Sequence, residues 1–270
     1  MKIEINDLVF GYKDSNPVLK GIDLEFDDAS LICILGPNGV GKSTLLYCIN
    51  KLVNLTSGTI LIDGKDLKNL SFKDLSTIMS FVPHSEDSTF SMSVMDTVLM
   101  GRHPYSGFNY SDKDLAIAAS NIKLLGLEEF SMRDYGELSA GQHQKVMIAR
   151  GLTQEPKILM LDEPTANLDV RYQMLVMRLL RDIARIKGIM VLVICHDLNV
   201  TSMYADRIVL LSQGKVYADG TAEEVITREN VKDVYNIDCE ITTVQGRPHV
   251  SLLDDDSLDS HIEAKMKALD

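Results

Sequence analysis

The stretch LGPNGVGKSTLL, residues 35–46, limits what this chain can fold into more than any other segment. It follows the apolar run LICIL and leads into KSTLLYCINKL, so a buried strand delivers the chain through a glycine loop into a helix. Gly36, Gly41, Lys42 and Ser43 fit the spacing G-x-x-x-x-G-K-[ST]. The loop Gly36, Pro37, Asn38, Gly39, Val40 and Gly41 can curl its backbone N–H groups round a phosphate chain. Lys42 can then reach the outer phosphates, and the Ser43 hydroxyl, beside Thr44, can ligate Mg²⁺.

Such a loop needs a parallel sheet around it, and the rest of the chain supplies one. Strand patterns appear at KIEINDLVF, LICILG, GTILIDG, ILMLD, IMVLVICH and RIVLLSQGKVYADG. Buried runs followed by helices, as in ILMLDEPTANLD before VRYQMLVMRLLRDIARI, read as a mostly parallel α/β core. The amino-terminal strand, GTILIDG and KVYADG suggest an added antiparallel β layer. Between residues 85 and 156 strand signals vanish and helical patterns replace them. The expected organisation is an α/β core over 1–84 and 157–222, an inserted α-helical subdomain over 85–156, and a helical extension with an acidic tail over 223–270. The tail is expected to end in a short helix.

The 270 residues carry a formal net charge of −12, which argues against duplex nucleic acid as the partner, because phosphate neutralisation dominates that affinity. No apolar run approaches the roughly 18–20 residues of a membrane span. MKIEINDLVFGY alternates like a strand and not like a signal peptide, so export is not expected. Cys33, Cys48, Cys195 and Cys239 show no metal-ligand spacing and read as reduced core thiols. His103, His143, His249 and His261 share no ligand spacing either, and surface positions are expected for them.

Two further strand ends carry chemistry. ILMLDEP ends in paired carboxylates, Asp162 placed to hold Mg²⁺ and Glu163 to polarise an attacking water. VLVICHDLN ends in His196, which a parallel sheet would bring to the same rim for contact with a γ-phosphate. Lys42, Glu163 and His196 form the expected catalytic set. A second anion site is written in GELSAGQHQKVMIAR, where Ser139 and Gly141 open a helix.

These motifs, in this order, resemble the ATP-binding-cassette (ABC) family, whose fold is a P-loop NTPase (RecA-like) core, and the likeness covers nearly the whole chain. LSAGQ, with Ser139, Ala140, Gly141 and Gln142, is similar to the family's signature motif; ANLD, ending in Asp169, is similar to its D-loop. Tyr12 resembles the aromatic residue that stacks on adenine, and His84 in VPH stands where the Q-loop glutamine would contact metal and water. His84 is therefore a candidate third metal contact beside Ser43 and Asp162. It departs from the family's pattern, as does Ala140, which stands at a usual glycine.

The resemblance implies ATP and Mg²⁺ as ligands and a homodimer in which each signature motif caps the partner's ATP. SVMDTVLMGRHPY, together with HDLNVTSMYADRIVLLSQGKV, is similar to the subgroup that powers uptake of iron chelates, haem and cobalamin. That implies a polytopic membrane permease as partner, indirectly a substrate-binding protein, and a peripheral place on the cytoplasmic face of the cell membrane. Met92, Met95, Met100, Arg102 and Tyr105 are candidates for the permease-facing surface. The alternative is a soluble, non-transport cassette ATPase of iron–sulfur cluster assembly or genome maintenance. The first lacks the MGRHPY segment, and the second calls for a coiled-coil insertion or a basic face that the sequence does not show.

Overall fold

The computed structural model describes residues 1–12, 16–84, 92–107, 109–166 and 168–253. The acidic tail with its expected short helix and His261 lie outside the described residues, as does Asn167 of the ANLD segment. The chain begins with strands β1 (Ile3–Phe10), β2 (Leu19–Phe26) and β3 (Leu31–Leu35), then helix α1 (Lys42–Ile49). Strands β4 (Ser57–Ile62) and β5 (Lys65–Asp66), helix α2 (Phe72–Ser76) and strand β6 (Met79–Val82) follow. A helical stretch comes next: α3 (Val94–Leu99), α4 (His103–Ser106), α5 (Asp112–Leu124) and α6 (Ala140–Thr153). After it run β7 (Ile158–Leu161), α7 (Val170–Lys187), β8 (Met190–Ile194), α8 (Leu198–Tyr204), β9 (Arg207–Ser212) and β10 (Lys215–Gly220). Two short helices, α9 (Ala222–Val225) and α10 (Arg228–Tyr235), and a hairpin of β11 (Cys239–Val244) and β12 (Arg247–Leu252) complete it.

The main sheet has the order β10-β9-β3-β8-β7-β6 and is parallel except for β10. Every residue of β3, β7 and β8 is buried, as a strand covered on both faces requires. Alternate side chains divide between two cores. Leu31, Cys33 and Leu35 face the helices α3, α5, α6 and α7, whereas Ile32 and Ile34 face α1 and the smaller sheet. That smaller sheet, β2-β1-β4-β5, is antiparallel throughout. Because β3, β6, β7 and β8 are parallel neighbours, their carboxyl ends share one rim, and residues 36–41, 84, 162–163 and 196 all leave from it.

Three expectations need correction. KVYADG is no part of the antiparallel layer: β10 pairs with β9 as the edge of the main sheet. The extension beyond residue 222 is not wholly helical, since Cys239–Leu252 forms the β11–β12 hairpin. Gln245 and Gly246 turn it, both at positive φ, which suits the right-handed strand twist in a two-residue turn. Finally, β2 has no counterpart among the strand patterns read from sequence.

Candidate nucleotide site

The loop between β3 and α1 has a shape that only glycine permits at its start. Gly36 sits at φ +144, and a Cβ there would lie 2.4 Å from the Leu211 carbonyl oxygen. Lys42, the first residue of α1, is buried and turns back over the loop. Its Nζ donates to the carbonyls of Gly36 at 2.7 Å and Pro37 at 2.9 Å. Burial pushes the Lys42 pKa down, and the nearby Glu163 and Asp162 carboxylates oppose that shift. An ammonium so held exchanges weak carbonyl partners for a phosphate when one arrives.

Asp162 follows β7 and is buried. Ser43 Oγ donates to its Oδ1 at 3.0 Å, and Tyr47 hydroxyl to its Oδ2 at 3.3 Å. Burial raises the Asp162 pKa, the Glu163 charge adds to that, and the two hydroxyls counter it. This donor set, one carboxylate with hydroxyls beside a phosphate loop, fits Mg²⁺, which is commonly held by one or two carboxylates plus substrate phosphates. Among the described residues no group of three or more His, Cys, Asp or Glu forms a dedicated metal cage.

Glu163 adopts left-handed backbone geometry, φ +52, a conformation that costs a non-glycine residue on the order of 1–3 kcal/mol. It sets the carboxylate between two imidazoles: His196 Nε2 lies 2.5 Å from Oε1 and His84 Nδ1 lies 3.6 Å from Oε2. Loop, Asp162, Glu163, His84 and His196 thus come together from four neighbouring strand ends.

The other expected residues do not join this cluster. Ser139 caps α6 in a closed box, its backbone N–H donating to Gln142 Oε1 at 2.9 Å while its Oγ accepts from Gln142 N at 3.4 Å. Ala140 is exposed at the start of that helix, and a Cβ on Gly141 would meet the Tyr172 ring at 2.9 Å. Asp169 caps α7 by accepting from Tyr172 N at 3.0 Å. Tyr12 is 52% exposed at the end of β1, edge-on to Phe10 at 5.0 Å between centroids.

Tyr47 is the site residue that the sequence reading missed. It lies four residues after Ser43 on α1, hence on the same helix face, and that spacing was the available signal. Arg102, expected on the permease-facing surface, is instead buried: Nε donates to Asp114 Oδ1 at 2.7 Å and Nη1 to the Thr153 carbonyl at 3.0 Å. Met100 and Tyr105 are exposed as expected. His103 is exposed as expected, whereas His143 and His249 are half-buried, and His143 stacks on Tyr135 at 4.4 Å. All four cysteines are free and buried.

A doubly covered parallel sheet, a glycine loop with its lysine, and an Asp-Glu pair at the next strand end but one define a P-loop nucleoside-triphosphate hydrolase. The chain belongs to the ABC transporter family, whose model matches residues 19–166. It is 44% identical to an uncharacterised ABC transporter ATP-binding protein of Methanocaldococcus jannaschii, over 93% of this chain and 97% of that one. It is 36% identical to the hemin import ATP-binding protein HmuV of Bordetella avium, over 89% and 94%. A solved metal-chelate type ABC transporter in an inward-facing conformation superimposes with a TM-score of 0.82 at 26% identity, over 95% of this chain and 98% of its own. The protein is accordingly an ATP-binding, ATP-hydrolysing transporter subunit. No described helix is long and apolar enough to cross a membrane.

Proposed function

We propose that this chain is the ATPase of an importer for an iron chelate, haem or cobalamin, working as a homodimer that closes over two ATP on the cytoplasmic face of a membrane permease fed by a substrate-binding protein. We further propose residues 1–222 as the ATPase domain. The observation that carries the hydrolytic reading is Glu163, held between His196 and His84 above the phosphate loop. Lys42 binds the β- and γ-phosphates through its buried ammonium. Glu163 orients the attacking water and takes up its proton at a carboxylate oxygen, while His196 fixes that carboxylate and meets the γ-phosphate. Ser43 and Asp162, with His84 at the rim, would hold Mg²⁺, which offsets phosphate charge when bound. Tyr12 offers its exposed ring to the adenine.

Homodimerisation is supported by the placement of the two anion sites on separate elements. Ser139 and Gly141 begin α6 on a separate element, and their described hydrogen bonds do not reach residues 36–44. In a two-fold dimer one copy's Ser139–Gln142 segment completes the other's phosphate site, with Asp169 at the seam.

The permease would dock beside Met100 and Pro104, where α4, β6 and α6 leave a groove of about 280 Å³ that also includes Phe81 and Gln154. The import reading takes its cargo class from the relatives named for hemin and metal-chelate transport. Co-expression with a candidate permease, followed by ATP-driven uptake of hemin, a ferric chelate and cobalamin into proteoliposomes, tests it. Uptake of none of the three, with hydrolysis intact, would discard the cargo assignment and leave the ATPase.

A further inference from the structure

The hairpin that follows α9 and α10 packs on α8 and borders, with α7 and α8, a cavity of about 360 Å³. In a chain of net charge −12 the cavity is lined by three arginines, Arg178 and Arg181 from α7 and Arg247 from β12, with His249 beside them. Two of the arginines have only loose ion pairs with carboxylates. Arg178 Nε is 3.9 Å from Asp182, and Arg247 Nη1 is 3.8 Å from Glu223, both beyond hydrogen-bonding distance. The Arg181 guanidinium lies over the Tyr204 ring at 5.2 Å, and its Nε is shut off from solvent with no acceptor among the described residues. The guanidiniums of Arg178, Arg181 and Arg247 line the cavity, so an oxygen-bearing ligand there would meet several N–H donors.

Two neutral groups in the wall, Asn199 and Ser202, are already used. Asn199 Nδ2 donates to the Val250 carbonyl at 3.0 Å while its Oδ1 accepts from Val250 N at 2.7 Å. Ser202 Oγ donates to the Pro248 carbonyl at 2.6 Å. These three bonds pin the hairpin to α8, so the fold itself fixes the backbone that carries Arg247 and His249.

We propose that this cavity binds a small multivalent oxyanion through Arg178, Arg181 and Arg247. The three guanidiniums line one cavity, and each presents a planar fork suited to paired oxygens. The cavity is concave and bounded by the hairpin turn, which admits a small molecule and not a duplex or a bilayer. Both a phosphorylated compound and a polycarboxylate carry the required oxygens. The occupant ties the hairpin to α7, which Asp169 caps, and to α8, which starts two residues past His196.

The test uses the full chain carrying Lys42→Ala, so that the phosphate loop no longer competes for anions. Pyrophosphate and citrate are titrated separately by calorimetry without Mg²⁺. One saturable site is expected, weakened on the order of tenfold by Arg181→Gln and by Arg247→Gln. Arg178→Gln alters an exposed side chain that the fold does not need, and it should weaken the site as well. The tighter of the two probes names the source of the anion. Melting temperatures without anion establish that each variant is folded. Equal affinity in all the chains overturns the proposal, as does the absence of saturable binding by either probe. Arginine-dependent capture by anionic vesicles with neither small anion bound overturns it too.

Discussion

His196 Nε2 stands 2.5 Å from Glu163 Oε1, joining the ends of two adjacent parallel strands through a single contact. Glu163 reaches it from left-handed backbone geometry, and His84 approaches the other carboxylate oxygen. The carboxylate is therefore oriented from two sides before any nucleotide arrives, the kind of preorganisation that phosphoryl transfer rewards.

Glu163→Gln should lower hydrolysis roughly 10²–10⁴-fold while ATP binding persists, because an amide cannot accept the water's proton. The closed dimer should then accumulate with ATP and Mg²⁺ and appear as a shift in sizing chromatography. Near wild-type turnover in this variant would remove Glu163 from the reaction.

A second expectation concerns acid stability of the helical region. Hydroxyls of Ser106 and Ser111, the Ser111 backbone N–H and the Arg102 guanidinium hold the Asp114 carboxyl well below the usual carboxylate range. A depressed folded value stabilises the protein above the unfolded carboxylate pKa, about 3.9, and that contribution fades as pH falls toward the folded value. Asp114→Asn should thus lower the melting temperature by several degrees at neutral pH. The gap to wild type should close below about pH 4. A gap that stays constant through the acid range would assign the effect to packing alone.

The parts of the fold that sequence reveals are those where one local rule decides. Buried runs such as LICIL and MVLVI read as doubly covered strands, and their ends place the phosphate loop, Asp162 and His196 on one rim. β2 escaped because Lys20 and Gly21 interrupt its alternation, though the burial of Leu19, Ile22, Leu24 and Phe26 restores it in three dimensions. The β11–β12 hairpin was legible in Gln245-Gly246 between alternating residues, but a neighbouring helical pattern overrode it. Arg102 shows the other limit. An arginine in an exposed-looking segment is buried only because Asp114, twelve residues on, and the Thr153 carbonyl wait for it. No spacing rule encodes such a pair.

His84 offers a sharper experiment. If its imidazole does the work of the usual Q-loop glutamine, His84→Gln should keep ATPase activity within a few-fold. His84→Ala should raise the Mg²⁺ needed for half-maximal rate by about tenfold, in line with other losses around metal sites. The Mg²⁺ titration checks this directly, and an alanine variant with an unchanged midpoint would show that His84 only brackets Glu163.

The final prediction separates the two anion sites. The loop at 36–41 and the cap at Ser139 belong to different elements and share no described hydrogen bond, so in a dimer each active site draws one from each copy. Ser139→Arg puts a bulky cation where α6 begins and spoils the site of the partner, leaving its own loop intact. Lys42→Ala spoils its own loop and leaves its cap intact. Either variant alone gives dimers with two damaged sites and little hydrolysis. Mixed dimers contain one site with both lesions and one with neither, so if each site can turn over singly a mixed dimer should reach about half of wild type, and an equal, randomly paired mixture about a quarter. The measurement is ATPase rate against mixing ratio, with a peak expected at equal amounts. A Glu163→Gln chain mixed with Ser139→Arg controls for turnover by one site, since it too leaves one composite site whole. A flat line in both mixtures, with mixed dimers verified by affinity tags on the two chains, means either that the two sites must fire together or that Ser139 acts within its own chain. Adding wild type to Ser139→Arg then decides: in that dimer an in-trans cap leaves the variant's own site intact, and an in-cis cap leaves the wild type's. A trapped nucleotide cross-linked to Lys42 of a tagged copy tells which.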